Sequence, residues 1–456
     1  MKQMKRMLQA WPRSVYTAAW WLALPLVLLR LRLRARREPG YGLHWGERFG
    51  RYPRNAGDID DSAAVDARPV LWVHAVSVGE TRAVAPLIEA LLDACPTHRI
   101  LLTHMTPTGR ATGAALFGAS PRIIQRYLPY DTGFFVGGLL RHYRPRLCVL
   151  VETEVWPNLV ACCGQAGIPV ALVNARLSAR SLTRGERLRG LLSPAAAALS
   201  WTGAQTDADA ARLGSLGACP VDVTGSLKFD VVPQPGQLAQ GAHWRAQFGA
   251  RPVLLLASTR EGEEALILAA LQRMPLPAEV LLVLVPRHPQ RFDAVADLVQ
   301  SHGLALERRS TLGAKAPAAT TQVLLGDSMG ELFAWYAAAD LAFIGGSLLP
   351  LGGQNLIEAC AVGTPVLIGP SSFNFAAVTQ DAIAAGAALQ IDDADSLLAT
   401  ARALLDDAAL RSAMAGAARS FASAHRGATL RTLAGLQRLL DGATGAAITP
   451  RDRSGS

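Results

Sequence analysis

Four short stretches of this chain place a hydroxyl or amide side chain three residues ahead of a glutamate: Ser77-Val-Gly-Glu80, Ser258-Thr-Arg-Glu261, Ser328-Met-Gly-Glu331 and Asn355-Leu-Ile-Glu358. The spacing is that of a helix capping box, in which the first side chain takes the N–H of the third helical residue and the glutamate returns to the cap. Read singly, each is a structural device. Position adds a second reading. Ser77 follows the apolar run Val70–His74, Ser258 follows Val253–Ala257, Ser328 follows Val323–Leu325, and Asn355 comes after the glycine-rich turn Gly345–Gly353. Helix starts at the carboxyl ends of strands offer free N–H groups and a positive dipole end to anionic ligands. A capping glutamate and a ligand-binding glutamate are compatible roles.

The elements that must position these groups alternate in a regular way. Val70–His74, Ile100–His104, Leu147–Val151, Val170–Asn174 and Leu199–Ala204 read as strands, and Thr81–Leu92 as a helix. The rhythm restarts with Val253–Ala257, Val280–Val285, Val323–Leu325, Leu341–Ile344 and Val366–Ile368. Such alternation predicts an α/β fold of parallel sheets with helices on both faces. Two doubly wound, Rossmann-like domains facing a cleft follow, with ligands at strand carboxyl ends. The expected boundaries are 1–37 for an N-terminal apolar segment with a basic flank, 38–230 for a first domain, 231–240 (VVPQPGQLAQ) for a linker, 241–442 for a second domain and 443–456 for a flexible tail.

The 456 residues are half apolar, which suits two or three ordinary domains and excludes general disorder. The net charge of +9 resides at one end: nine basic residues precede Glu38, the first acid, and the remainder of the chain is balanced. This excludes a basic groove for nucleic acid. Val15–Leu29 is uncharged and rich in Trp and Leu, and five arginines lie within Arg30–Arg37. Fifteen helical residues cover about 22 Å, short of a bilayer core of about 30 Å, and Pro25 weakens a simple span. A short tilted span and a helix lying on the membrane both remain open, and either keeps the arginines on the cytoplasmic side; a buried amphipathic helix is the plainer alternative, against which the arginine cluster argues. The six cysteines show no C-x-x-C and no disulfide spacing, as expected of reduced core thiols. No D-x-D pattern is expected at a strand end, and no metal is expected.

Taken in order, a longer set of motifs resembles one family. These are His74-Ala-Val-Ser-Val-Gly-Glu80, Thr106-Pro-Thr-Gly109, Tyr127-Leu-Pro-Tyr-Asp131, Glu152-Thr-Glu-Val-Trp-Pro-Asn158, Asn174-Ala-Arg-Leu-Ser178 and Gly225-Ser-Leu-Lys-Phe-Asp230 in the first half. In the second half they are Ala257-Ser-Thr-Arg-Glu-Gly-Glu-Glu264, Pro286-Arg-His-Pro289, Gly326-Asp-Ser-Met-Gly-Glu331, Gly345-Gly-Ser347 and Phe373-Asn-Phe375. The series resembles the transferases of 3-deoxy-D-manno-octulosonic acid (Kdo) in lipopolysaccharide biosynthesis. That resemblance implies a GT-B fold, CMP-Kdo as donor, a lipid A precursor as acceptor, and an inverting transfer with no cofactor and no metal. It also implies a place on the cytoplasmic face of the inner membrane, with membrane lipids as partners.

The resemblance carries roles to particular residues. Glu80 stands where the family has its general base, and a helix N-terminus is expected to keep it ionised. Glu152 and Lys228 stand at positions that stabilise the transition state, with Glu154 a neighbouring rival to Glu152. Pro286 and Arg287, Met329, Gly330 and Glu331, and the run Asn355, Leu356, Ile357 and Glu358 match nucleotide-contacting segments, Arg287 being suited to bidentate phosphate bonds. Ser258 and Arg260 are weaker candidates, and His288 can equally be a plain exposed residue. Arg48, Arg51 and Arg54 are candidates for lipid phosphates. Three departures stand out: Gln354 occupies a position where the family has His, Leu356 follows Asn355 where Pro is common, and Arg260 stands where His is common. Another GT-B enzyme using a UDP-sugar, a nucleotide-sugar epimerase and a non-catalytic membrane scaffold are the competing readings.

Overall fold

Fourteen strands, among the described residues, form two separate parallel sheets in the computed structural model, which describes residues 2–52, 68–230, 232–313 and 315–445. The first unit comprises Met1–Asp230 together with Arg426–Ser456; the second comprises Val231–His425.

In the first unit the strands are β1 (Val70–His74), β2 (Arg99–His104), β3 (Ile123–Tyr127), β4 (Leu147–Val151), β5 (Val170–Ala175), β6 (Trp201–Ala204) and β7 (Val221–Val223). Their order is β3-β2-β1-β4-β5-β6-β7. The central strands bury both faces, as parallel sheets covered by helices require: every residue of β1, β2, β4 and β5 is buried. The chain first builds outward from β1 to β3 and then returns to lay β4 on the other side of β1. This reversal makes a switch point between β1 and β4, where the loops leaving the two carboxyl ends diverge and leave a crevice.

The second unit repeats the plan with β8 (Val253–Thr259), β9 (Leu281–Pro286), β10 (Leu306–Arg308), β11 (Val323–Leu325), β12 (Leu341–Ile344), β13 (Val366–Ile368) and β14 (Ala388–Gln390), in the order β10-β11-β9-β8-β12-β13-β14. Its switch point lies between β8 and β12.

Four strands carry no apolar run that marks them in the sequence: β3, β7, β10 and β14. All four are sheet edges. An edge strand has one free flank and tolerates residues such as Gln125, Asp222, Glu307 and Gln390.

Three expected boundaries change. Residues 235–240 are not a linker, because Pro235 opens the helix Pro235–Phe248, a first-turn position that suits a residue without an N–H. The helix Ala428–Gly445 belongs to the first unit rather than to a second domain ending at 442. Asp230 holds it there by accepting the N–H groups of Gly427, at 2.7 Å, and of Thr429. Gly435 seats against Trp201 so closely that a Cβ would fall 2.4 Å from the indole. That helix runs past 443 to Gly445; the rest of the expected tail, 446–456, lies outside the described residues. At the other end, one helix extends over Lys2–Arg37 straight through Pro25.

Candidate active site

Glu80 lies in the first turn of the helix Val78–Ala94, which follows β1. Ser77 is its N-cap and accepts the Glu80 N–H. The Glu80 carboxylate accepts the Val76 N–H at 2.7 Å and the Ser77 hydroxyl at 3.2 Å. The expected cap therefore forms, but its electrostatic consequence is reversed. Burial pushes the Glu80 carboxyl up to about 7, and the charges of Glu152 and Glu154 add to the rise, while the Val76 and Ser77 hydrogen bonds oppose it. At neutral pH the group sits close to half ionised instead of fully charged.

Across the switch point, the chain leaving β4 turns sharply at Glu152, whose φ of +63° is left-handed. A non-glycine residue in that region carries about 1–2 kcal/mol of strain and is held by its surroundings. Here the Glu152 N–H continues the sheet ladder to the Val173 carbonyl at 2.9 Å, and its carboxylate pairs with Lys228 Nζ at 3.1 Å. Glu154, two residues on, accepts the Trp156 indole N–H at 2.8 Å; burial, then the charge of Glu152, raises its carboxyl.

Lys228 arrives on the turn Leu227–Asp230, beyond β7. The turn is fixed by Asn174 at the end of β5, itself left-handed at φ +51°, whose Oδ1 accepts the Leu227 N–H at 3.1 Å. Asn174, the first residue of the motif Asn174–Ser178, thus positions the turn that carries Lys228. Its signal is full burial at a strand terminus, which the sequence does not reveal. The first unit thus gathers Glu80, Glu152, Glu154 and Lys228, brought together from the ends of β1, β4 and β7.

Other first-unit expectations fare differently. His74 is a neutral core residue: it is fully buried, burial drives its pKa down to about 3, and its Nδ1 meets Thr103. Two D-x-D spacings among the described residues do follow strands: Asp393 and Asp395 after β14, where Asp393 caps the helix Ala394–Asp406, and Asp207 and Asp209 after β6. Asp209 is consumed by structure: it accepts the Leu177 N–H, the Thr206 hydroxyl and Arg212. Arg48 is 2% exposed, lies 4.0 Å from the centre of the Tyr127 ring and donates to the Met105 carbonyl, so a phosphate at the surface is out of its reach. Arg51 is exposed, and Arg54 lies outside the described residues.

In the second unit, the candidates emerge from β9, β11, β8 and β12, four neighbouring strands. Pro286 ends β9 buried in the sheet, and Arg287 follows it half-buried. The Arg287 N–H is held by the Thr259 carbonyl at 2.9 Å, and its Nε donates to Gln354 Oε1 at 3.2 Å. Gln354 thereby acquires a definite task in orienting a guanidinium.

Of the four expected capping boxes only Ser77 caps its helix; those at Ser258, Ser328 and Asn355 do not form, Leu356 being the N-cap of the helix Ile357–Val362. Ser258 is left-handed, and Gly262, at φ +95°, delays the helix until Glu263–Arg273, so Glu261 stays exposed. Glu263, fully buried, takes the structural role instead: it accepts the N–H groups of Arg260, Gly346 and Leu348 at 2.8, 2.6 and 3.0 Å and fastens the glycine turn after β12. Glu264 beside it holds Arg291 through two bonds of 2.8 Å. Ser328 does donate to Glu331, but the helix Leu332–Ala338 starts one residue later, after Gly330 at φ +83°. Met329 and Gly330 are exposed, while Glu331 meets Gln240 at 2.7 Å and Arg309 at 3.3 Å. Asn355 Oδ1 accepts the Ile357 N–H at 3.0 Å, and its Nδ2 donates to Glu358 at 3.2 Å. The side chains of Leu356 and Ile357 are wholly buried, leaving only their main chain for contact. Among the described residues, no group of three or more His, Cys, Asp or Glu is arranged to hold a metal ion.

Two doubly wound parallel sheets, with Glu80 and Glu152 at the carboxyl ends of the first unit's switch-point strands, make a GT-B fold. The structure of Anabaena Alr3699/HepE in complex with UDP has the same architecture, with a TM-score of 0.55 at 15% identity, covering 82% of this chain and 100% of that one. Residues 43–231 match the family described as 3-deoxy-D-manno-octulosonic-acid transferase (kdotransferase). The 3-deoxy-D-manno-octulosonic acid transferase of Bordetella pertussis is 49% identical, covering 93% of this chain and 99% of its own. That of Haemophilus influenzae is 35% identical, covering 94% and 97%. The chain belongs to the Kdo transferase family.

Proposed function

We propose that this chain transfers Kdo from CMP-Kdo to an alcohol of the lipid A precursor, with inversion at the anomeric carbon and with no cofactor or metal. The observation that carries this reading is the placement of Glu80, half-buried with a carboxyl near 7, beside the Glu152–Lys228 pair. A direct displacement needs one base. Glu80 takes the proton of the acceptor hydroxyl while its oxygen forms a bond to the anomeric carbon. The bond from that carbon to the phosphate oxygen breaks, and its electron pair leaves with CMP. Positive charge grows on the sugar and negative charge on the phosphate, which suits a carboxylate and a lysine held as a pair. Arg287, oriented by Gln354, donates hydrogen bonds to the phosphate from the second unit, with Pro286, Met329–Glu331 and Asn355–Glu358 around the nucleotide.

A lipid-borne acceptor accords with the apolar N-terminal helix, and the site of action in this reading is the cytoplasmic face of the inner membrane. A UDP-sugar donor is the alternative, motivated by the UDP complex of the Anabaena structure. Incubating the purified protein with CMP-Kdo and the lipid A precursor, and weighing the lipid by mass spectrometry, tests donor, acceptor and copy number together. A product heavier by one or more Kdo units is expected. No product with CMP-Kdo, together with a thermal shift by UDP and none by CMP, would reject the reading.

A further inference from the structure

The sequence leaves two orientations open for the N-terminal helix; its packing favours one. From Pro12 to Ala35 the less exposed positions recur every three or four residues, among them Tyr16, Trp20, Val27 and Leu31. Their contacts run the whole way along the first unit. Pro12 lies against Gly190, and Thr17 exchanges hydrogen bonds with Asn158 at 3.0 and 3.1 Å. Trp20 packs on Tyr130 at 5.7 Å between ring centres, and Trp21 on Phe135 at 5.3 Å. Leu31 is 7% exposed, and Arg34 stacks over Tyr41. A helix that projected through a bilayer would present lipid on every side; this one meets protein along one side between Pro12 and Ala35, with Leu31 buried and Tyr16, Trp20 and Val27 partly shielded.

The opposite side is an uninterrupted apolar stripe. Leu22, Leu26, Leu29 and Leu33 are 83%, 69%, 54% and 51% exposed, at spacings of four, three and four residues that stack them on one face. The stripe continues onto the body of the protein: Phe134, 68% exposed, adjoins Phe135, which packs on Trp21. Arg30, Arg32, Arg36 and Arg37 are exposed beside the stripe, with no acidic residue before Glu38. Apolar residues on one face with arginines alongside are what a helix needs to lie at an anionic bilayer surface, its leucines sunk about 5–10 Å.

We infer that this helix lies in the plane of an anionic membrane, as one rigid face of the first unit, and that Phe134 enters the bilayer with it. The inference rests on the proposed lipid-borne acceptor and deepens it. An in-plane helix joined through Tyr130 to the loop after β3, and through Asn158 to the helix Pro157–Gln165, sets the intervening loop that carries Glu152 at a fixed height over the lipid surface. Deleting the helix is a poor test, because it strips the cover from Tyr130 and Asn158. Depth measurement is a better one. Spin labels at Leu22→Cys, Leu26→Cys, Leu29→Cys, Leu33→Cys and Phe134→Cys, one at a time in the full chain with the exposed Cys219 replaced by Ser, are read for immersion depth on phosphatidylglycerol–phosphatidylcholine vesicles. The same chain without an added cysteine supplies the background. All five labels are expected at one depth within about 5 Å, with vesicle affinity at least about tenfold higher than on phosphatidylcholine alone. A spanning helix gives instead a graded series, differing by about 16 Å between positions 22 and 33 at 1.5 Å per residue. That gradient overturns the in-plane orientation and leaves the lipid-borne acceptor standing. Failure of the protein to bind either vesicle overturns both.

Discussion

Lys228 and Glu152 meet at 3.1 Å, Nζ to Oε1, one from the turn beyond β7 and the other from a left-handed residue at the end of β4. The pair is partly shielded, with side-chain exposures of 22% and 15%. Its carboxylate also acts on Glu80, whose pKa it helps to raise. Glu152 therefore links Lys228 to Glu80, and a change at one can be read through it at the other.

Glu80→Gln is expected to lower kcat by about 10²–10⁴, the usual worth of a positioned base, while CMP binding measured by calorimetry is unchanged. In the unaltered enzyme, kcat/KM should rise with pH through an apparent pKa near 7, because only the ionised carboxyl accepts the proton. A flat profile between pH 5.5 and 8.5 would remove Glu80 from the base role.

The same raised carboxyl has a stability consequence. Between the unfolded value of about 4.5 and the folded value of about 7, the folded protein binds more protons than the unfolded one, so stability falls as pH rises through that window. Glu80→Gln, which does not ionise, should therefore be more stable than the parent at pH 8 by on the order of 1–3 kcal/mol, read as a higher Tm. At pH 4 the two should melt alike.

Glu154→Gln separates the contributions to that pKa. Burial is the first cause of the Glu80 shift and the two carboxylates are secondary. The acid limb of the pH–rate profile should move down by a fraction of its total displacement, leaving it above the ordinary glutamate range. Movement all the way to about 4.3 would mean that charge, not burial, dominates.

Asn174→Ala removes the acceptor that fixes the Leu227 N–H and so loosens the turn holding Lys228. We expect about 1–3 kcal/mol of lost stability and a fall in kcat with KM for the donor little changed. Lys228→Ala should abolish most of that additional kcat effect, since Asn174 acts through Lys228. A double-mutant cycle of the two should show a coupling of about 0.5–3 kcal/mol; strict additivity would assign Asn174 to folding alone.

Arg287→Ala should weaken CMP binding by about 1.5–3 kcal/mol, the worth of hydrogen bonds to a charged group. Gln354→Ala leaves the guanidinium but frees it, so a smaller loss is expected, read in the same titration. Equal affinities for the parent and Arg287→Ala would move the nucleotide phosphate elsewhere.

Much of the frame was legible in residue order. Strands β1, β4, β11, β12 and β13 coincide with the runs read from the sequence, because buried parallel strands are continuous apolar stretches between turns. Edge strands escaped because one free flank relaxes that demand. Ser77 and Glu80 were legible as a cap, since capping is a contact between residues three apart. Ser258 with Glu261 obeyed the same spacing and failed, because left-handed Ser258 and Gly262 shifted the helix start and passed the role to Glu263.

By itself, the sequence determined what depends on neighbours along the chain: the alternating parallel architecture, the cap at Glu80, the apolar N-terminal segment with its arginines, and the motif series that marks the family. Only the tertiary structure decided what depends on groups far apart in the chain. It paired Lys228 with Glu152, set Gln354 against Arg287, returned the last helix to the first unit and laid the first helix flat on it. It also turned Glu80 from a fully ionised cap into a group balanced near neutral pH. The physical reason is that desolvation and through-space charge scale with what surrounds a side chain, and strand order, which brings those surroundings together, is not written in local spacing.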